Sequence, residues 1–266
     1  MVYFLRVPDD YNRPPGPPQY EESYPVRRPV MFTTPGRSAV DMDDVAGGFD
    51  LSAGSAGSVI QTGDGPAYLS TTTVDGRASI GSLPVSAFPI TIGTRLRLPS
   101  GTGLIGGLFN TGATNKYIAL NCDATRGFEY YVRTADTAFA PGFSVAFSSI
   151  TDSQIHDIVC ISASATDHRI YVDGVLKDTS TDSTSWPTGM NITGVGGFFD
   201  SSPGYSVGEY QWFAVWDVAL SVSEIAHISA PDTRWGMLTR PGPTYWPLSA
   251  AGGGATILPQ IMQLAS

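Results

Sequence analysis

Charge is what this sequence has least of. Lys, Arg, Asp and Glu make up 15% of its 266 residues, against about 25% in an average globular chain. Fifteen Lys and Arg face twenty-four Asp and Glu, a formal net charge of −9. Binding a nucleic-acid backbone needs clustered cations that release counterions, so no nucleic-acid partner is expected. Cysteine is scarce too. Cys122 and Cys160 both lie in runs that read as strands, residues 118–122 and 157–160. Two cysteines make no disulfide framework, and they read as buried free thiols. No apolar run approaches the about 18 residues of a membrane span, so no membrane insertion is expected. The first ten residues lack the basic stretch and long apolar core of a secretory signal. A protein of this kind acting outside a cell is expected to leave by lysis or within an assembly. Three histidines, His156, His168 and His227, are dispersed without zinc-ligand spacing. They read as surface or internally satisfied groups.

What the chain does have is thirty Gly and twenty Pro, which argue for many turns and against long helices. Eight of the prolines fall in the first 36 residues, among Tyr3, Phe4, Tyr11, Tyr20, Tyr24 and Phe32. Proline fixes φ and removes a donor, so residues 1–39 are expected to form an extended arm whose aromatics bury themselves on another surface. A second appendage is expected over 231–266, with Trp235 and Trp246, four prolines after Pro231 and a Gly252-Gly-Gly254 run.

Between the arms, residues 40–230 read as one all-β domain. Short apolar clusters at 45–51, 57–60, 67–69 and 78–80 are candidate strands, with Asp64-Gly65 and Asp75-Gly76 as turn dipeptides. Longer strands follow over 88–98, 103–109, 116–120, 127–133, 143–147 and 156–162. Spacing of about ten residues is the cadence of an antiparallel sandwich or barrel. Asp173-Gly174 supplies a type I′ turn between residues 170–172 and 175–176. From Tyr210 to Trp216, Tyr210, Trp212, Ala214 and Trp216 alternate with Gln211, Phe213 and Val215. Both faces are largely apolar, so this strand is predicted to be central and covered on both sides. Ser221-Val-Ser-Glu224 is a capping box opening one short helix.

The order of these elements resembles the laminin G-like family of concanavalin A-type jelly rolls. The resemblance rests on Ile170-Tyr-Val-Asp-Gly174, Val195-Gly-Gly-Phe198, the strand from Gly208 to Val215-Trp216, and Ala219-Leu-Ser-Val-Ser-Glu-Ile225, with Phe88-Pro-Ile-Thr-Ile92 upstream. It covers roughly residues 45–230 and implies a two-sheet antiparallel jelly-roll sandwich carrying extended proline-rich N- and C-terminal arms. Two features depart from the family: Gln211 stands where an acidic residue is frequent, and no C-terminal disulfide can form. The helix followed by a Trp-containing, Pro-rich tail is similar to the tails of laminin G-like proteins of tailed phages, though the basic run often found there is missing.

Glycosidases on such folds need two carboxylates flanking one bond. Glu129 and Glu209 are solitary strand glutamates, so no catalytic residue is assigned and the chain is not expected to be an enzyme. Calcium ligands are conceivable at Asp123, Asp200 and Glu209, but these form no contiguous oxygen-rich loop. No metal site and no cofactor is therefore assigned. Trp186, Asp200 and Tyr205, in expected loops, are the candidate glycan-binding residues. Tyr3, Phe4, Tyr11, Tyr20, Tyr24, Trp235 and Trp246 are the candidate partner-binding arm. The resulting expectation is a structural protein of a tailed-phage virion, assembled in the host cytoplasm and released by lysis. Its expected place is as a capsid decoration or head-fibre-like module that forms homo-oligomers and contacts capsid proteins through its arms. The rival expectation, from a different class, is an adhesion or receptor-binding module for a surface glycan.

Overall fold

The computed structural model describes residues 19–20, 25–35, 41–62, 65–71, 76–100, 103–113, 116–123, 127–134, 143–144, 154–197, 207–230, 233 and 238–239. In chain order the first strands are β1 (Gln19–Tyr20), β2 (Met31–Pro35), β3 (Met42–Asp44), β4 (Ser52–Ala53), β5 (Ser58–Thr62), β6 (Gly65–Leu69) and β7 (Ala78–Ile80). The longer strands are β8 (Ile90–Ser100), β9 (Gly103–Phe109), β10 (Tyr117–Asp123), β11 (Gly127–Arg133), β12 (Phe143–Ser144), β13 (Ile155–Ser164), β14 (Asp167–Val172) and β15 (Val175–Ser180). Then come β16 (Ile192–Val195), β17 (Val207–Trp216), helix α1 (Val222–Ser229) and β18 (Leu238–Thr239).

Two antiparallel sheets face each other, as the alternating sequence pattern implies. One runs β12-β11-β10-β9-β16-β7-β4; the other, nine-stranded, runs β15-β14-β13-β8-β17-β2-β3, with β6 also on β17 and β5 on β6. The shared core is built by Ile105, Leu108, Ile118, Leu120, Phe128 and Tyr130 of the first sheet against Ile90, Ile92, Ile158, Ile170, Phe213 and Val215 of the second. Cys122 and Cys160 are free thiols buried in that core, and burial pushes the Cys160 thiol up.

Strand β17 is central, as its sequence predicts, with β8 on one edge and β2 and β6 sharing the other. Its alternation is broken once. The register with β8 passes from Tyr210↔Leu96 to Trp212↔Arg95, so Gln211 is an extra residue, a bulge. Tyr210 therefore joins Phe213 and Val215 in the shared core rather than Trp212 and Trp216 on the outer face. The outer face of this sheet carries a second apolar layer in which Phe32, Val159, Tyr171, Trp212 and Trp216 pack under Ile225 and Ile228 of α1. Gly93 makes room for it: a Cβ there would lie 3.1 Å from the Trp212 ring and 3.2 Å from the Trp216 ring.

Two expectations are corrected. Residues 25–35, assigned to the N-terminal arm, belong to the sandwich. Every residue of β2 is buried, Phe32 stacks on Trp212 at 5.7 Å, and Thr33 Oγ1 donates to the Phe213 carbonyl at 3.1 Å. Proline content concealed a five-residue strand, Met31-Phe-Thr-Thr-Pro35, whose pairing partner is the distant β17. Residues 45–50 of the expected strand 45–51 are a loop, because the Asp44 carboxylate gathers them, and Leu51 alone bridges Met42. That carboxylate accepts from the backbone N–H of Ala46, Gly47 and Phe49 and, across the sheet, of Phe32, at 2.7–2.9 Å. Local side-chain acceptors of this kind compete with a strand ladder. Among the described residues, the segments expected as separate arms meet where β1 and β18 pair antiparallel, Gln19 opposite Thr239 and Tyr20 opposite Leu238. Tyr3, Phe4, Tyr11, Tyr24, Trp235 and Trp246 lie outside the described residues, as does the side chain of Tyr20.

The predicted capping box is present at Ser221 and Glu224, and Glu224 does more than cap. Its carboxylate also accepts from the Arg27 guanidinium at 2.7 and 2.8 Å and from the Arg27 backbone N–H at 2.9 Å, tying the start of the sandwich to α1. Burial pushes the Glu224 carboxyl up, but the hydrogen bonds from Arg27 and Ser221 more than offset this and hold it at about 2. A carboxyl with a depressed folded value contributes stability above its unfolded value, about 4.3, and loses that contribution as pH falls toward 2. The protein should therefore lose denaturant resistance between about pH 4.5 and 2. Glu224→Gln should lose about 2 kcal/mol at pH 7 and show a flatter acid limb. Urea midpoints measured across that pH range check this; parallel acid limbs would refute it.

Candidate functional site

The rim where β8 begins and β17 ends carries a cleft of about 310 Å³, lined by residues 84–89 and Asp217. Its position follows from local sequence. Pro84, Ser86 and Pro89 keep the approach to β8 out of the ladder, while Val85 is buried and anchors it. The Phe88–Pro89 peptide is cis. Opposite, Trp216 closes β17 against Thr91, and Asp217 is the next residue, exposed to solvent. Thr91 holds that turn: its Oγ1 donates to the Val218 carbonyl at 2.7 Å and accepts from the Leu220 N–H at 3.2 Å.

Phe88 is fixed from behind. Its ring meets Trp186 edge-on at 5.3 Å and His168 edge-on at 6.2 Å. His168 is itself locked. Its Nε2 lies 3.2 Å from the carbonyl oxygens of both Ala165 and Asp182, so that nitrogen carries the proton. Its Nδ1 then accepts from Ser162 Oγ at 2.8 Å, and Ser162 Oγ accepts from Tyr130 at 2.8 Å. Burial pushes the Tyr130 phenol up, consistent with its role as a neutral donor. All three groups are buried, so this Tyr-Ser-His series orients an aromatic wall rather than reaching solvent.

Of the sequence-derived binding residues, Trp186 is the one the structure brings to the cleft, and it stands behind Phe88 rather than in the lining. Half-buried and packed on the shared core, it is a support rather than a free platform. Asp200 and Tyr205 lie outside the described residues. Phe88 and Asp217 were not singled out from sequence; an aromatic between prolines just before a long strand was the available signal.

The remaining carboxylates are elsewhere. Glu129 is buried on the outer face of the seven-stranded sheet, accepting from Asn121 Nδ2 at 2.7 Å and from the Tyr131 hydroxyl. Tyr131 meets Tyr117 edge-on at 6.3 Å, and the Arg133 guanidinium lies 5.4 Å from the Tyr117 ring. Glu209 is on the other sheet, 3.5 Å from Arg97. The shared core separates the two glutamates, so they do not flank one bond. Asp123 ends β10 on the seven-stranded sheet, apart from Glu209. No cluster of three His, Cys, Asp or Glu able to hold a metal occurs among the described residues. No described helix is long and apolar enough to cross a membrane.

With this architecture in view, the chain belongs to the concanavalin A-like lectin/glucanases superfamily, whose Laminin_G_3 family matches residues 67–226. No curated protein matches it. Solved structures share the fold at low identity. Trypanosoma rangeli sialidase has a TM-score of 0.56 at 17% identity, over 75% of this chain and 32% of that one. The botulinum neurotoxin serotype G binding domain has a TM-score of 0.60 at 10% identity, over 76% of this chain and 50% of that one. Domain 4 of AbnA, an extracellular arabinanase from Geobacillus stearothermophilus solved with arabinotriose, has a TM-score of 0.53 at 15% identity, over 66% and 82%. The chain thus corresponds to about a third of the sialidase and half of the toxin binding domain.

Proposed function

We propose that this protein is a non-enzymatic carbohydrate-recognition module that takes a sugar terminus in the rim cleft. The carrying observation is the cleft itself: about 310 Å³, lined by residues 84–89, the braced Phe88 among them, and by the exposed Asp217. Ligand sites span about 300–1,000 Å³ and combine apolar walls with a few polar groups, so this one suits a single terminal residue. An aromatic ring covers the apolar C–H face of a pyranose, and a carboxylate accepts from two neighbouring hydroxyls. One carboxylate in the lining falls short of the two that glycoside hydrolysis uses. Binding of this kind needs no metal or cofactor. Membership of a lectin and glucanase superfamily and the arabinotriose on the AbnA domain support the reading.

Phe88→Ala and Asp217→Ala should each weaken glycan binding by about tenfold or more, since each removes roughly 1.4 kcal/mol of contact. Asp217→Ala alters an exposed side chain and should keep the wild-type melting temperature. Isothermal titration with the best ligand from a glycan array measures both effects. A wild-type array blank at high protein concentration would sink the proposal.

A second reading is favoured by the pairing of β1 with β18, which draws the two Pro-rich ends together. In it the module is a tailed-phage virion protein, homo-oligomeric and fastened by those ends to capsid proteins, and the cleft serves adhesion from the particle surface.

A further inference from the structure

We infer that the rim cleft selects uncharged sugar termini and rejects carboxylated ones such as sialic acids and uronates. The inference rests on the carbohydrate-binding reading and adds a ligand class to it. Among the described residues lining the cleft the one charged group is a carboxylate, Asp217. An anionic glycan needs a cation or an array of N–H donors at its carboxylate, and the nearby guanidiniums are otherwise engaged. Arg27, which lies within electrostatic reach of Asp217, is closed onto both oxygens of Glu224 and also donates to the Ala219 carbonyl. Arg169, next to the His168 that braces Phe88, is closed onto both oxygens of Asp167 at 2.8 and 2.5 Å. The same rim adds a further carboxylate at Asp182, whose backbone carbonyl touches His168 and whose side chain is exposed. A second anion placed about 4 Å from Asp217 meets roughly 1 kcal/mol of repulsion even in a fully aqueous dielectric. The preference is therefore electrostatic and should be screened by salt.

The test compares matched pairs in which a neutral group replaces the terminal carboxylate: 3′-sialyllactose methyl ester with 3′-sialyllactose, and glucose- or galactose-terminated array glycans with their uronate-terminated counterparts. Wild-type protein at low ionic strength should bind the neutral member about five- to tenfold more tightly. The ratio should shrink in 0.5 M salt and in Asp217→Asn, which keeps an acceptor oxygen and removes the charge. Equal or tighter binding of the carboxylated member by wild type overturns the inference, as does a ratio unmoved in Asp217→Asn, while leaving carbohydrate binding intact. Absence of binding to either class removes the carbohydrate reading and this inference together.

Discussion

Asp157→Ala should cost about 3–5 kcal/mol of stability, among the largest losses available from one side chain here. Asp157 on β13 and Arg95 on β8 are cross-strand partners, joined at 2.7 Å with side-chain exposures of 3% and 8%. The Arg95 Nε also donates to Gln211 at 2.6 Å, the residue that the β17 bulge inserts beside Trp212. Removing the carboxylate leaves a buried guanidinium with Gln211 as neutral acceptor and the exposed Asp173 carboxylate as a weaker offset, and stripping one partner from a buried pair costs far more than the pair itself contributes. The double replacement Arg95→Met with Asp157→Leu removes both charges and should recover most of the loss. Urea unfolding of wild type, both single variants and the double variant gives a coupling energy directly. Additive losses would show that the ion pair is not what holds the position.

Shortening the N-terminus should have an equally large effect, but with a sharp boundary. A chain beginning at residue 36 loses Met31 and Phe32, both 0% exposed, the ladder to β17, and the Arg27 clamp on Glu224. Loss of a buried Phe side chain alone is worth about 3–5 kcal/mol, and total stability is about 5–15 kcal/mol. That chain should be unfolded by circular dichroism. A chain beginning at residue 19 keeps every described residue and should fold with a melting temperature near wild type. Equal folding of the two truncations would contradict the placement of β2. The longer of the two is also the proper reagent for the attachment reading: normal incorporation of the residue-19 chain into particles would remove any anchoring role for the first eighteen residues.

Much of the sandwich was legible because its signals are local. Period-two apolar alternation places β8, β10, β11 and β13; Asp173-Gly174, at φ 52° and 77°, makes the hairpin turn; Ser221 and Glu224 cap the helix. Each depends on neighbours within a few residues, so sequence alone determines it. β2 was not legible because proline density on either side outweighed a five-residue run whose burial depends on β17, some 180 residues away. Residues 45–51 misled for the opposite reason: their apolar content suited a strand, but one carboxylate at Asp44 captured their N–H groups. The cleft was hidden for a third reason. Phe88, Trp186, His168 and Asp217 are scattered over about 130 residues, and no spacing rule relates them.

What the sequence by itself determined is therefore the fold class, the turn and cap chemistry, and a family resemblance carried by short motifs in order. Only the tertiary structure decided that Trp186 braces Phe88, that Gln211 is a bulge serving Arg95, and that the rim cleft brings the Asp217 carboxylate beside residues 84–89. Sheet pairing brings these groups together across long sequence separations, and the identity of a long-range neighbour is written in no local pattern.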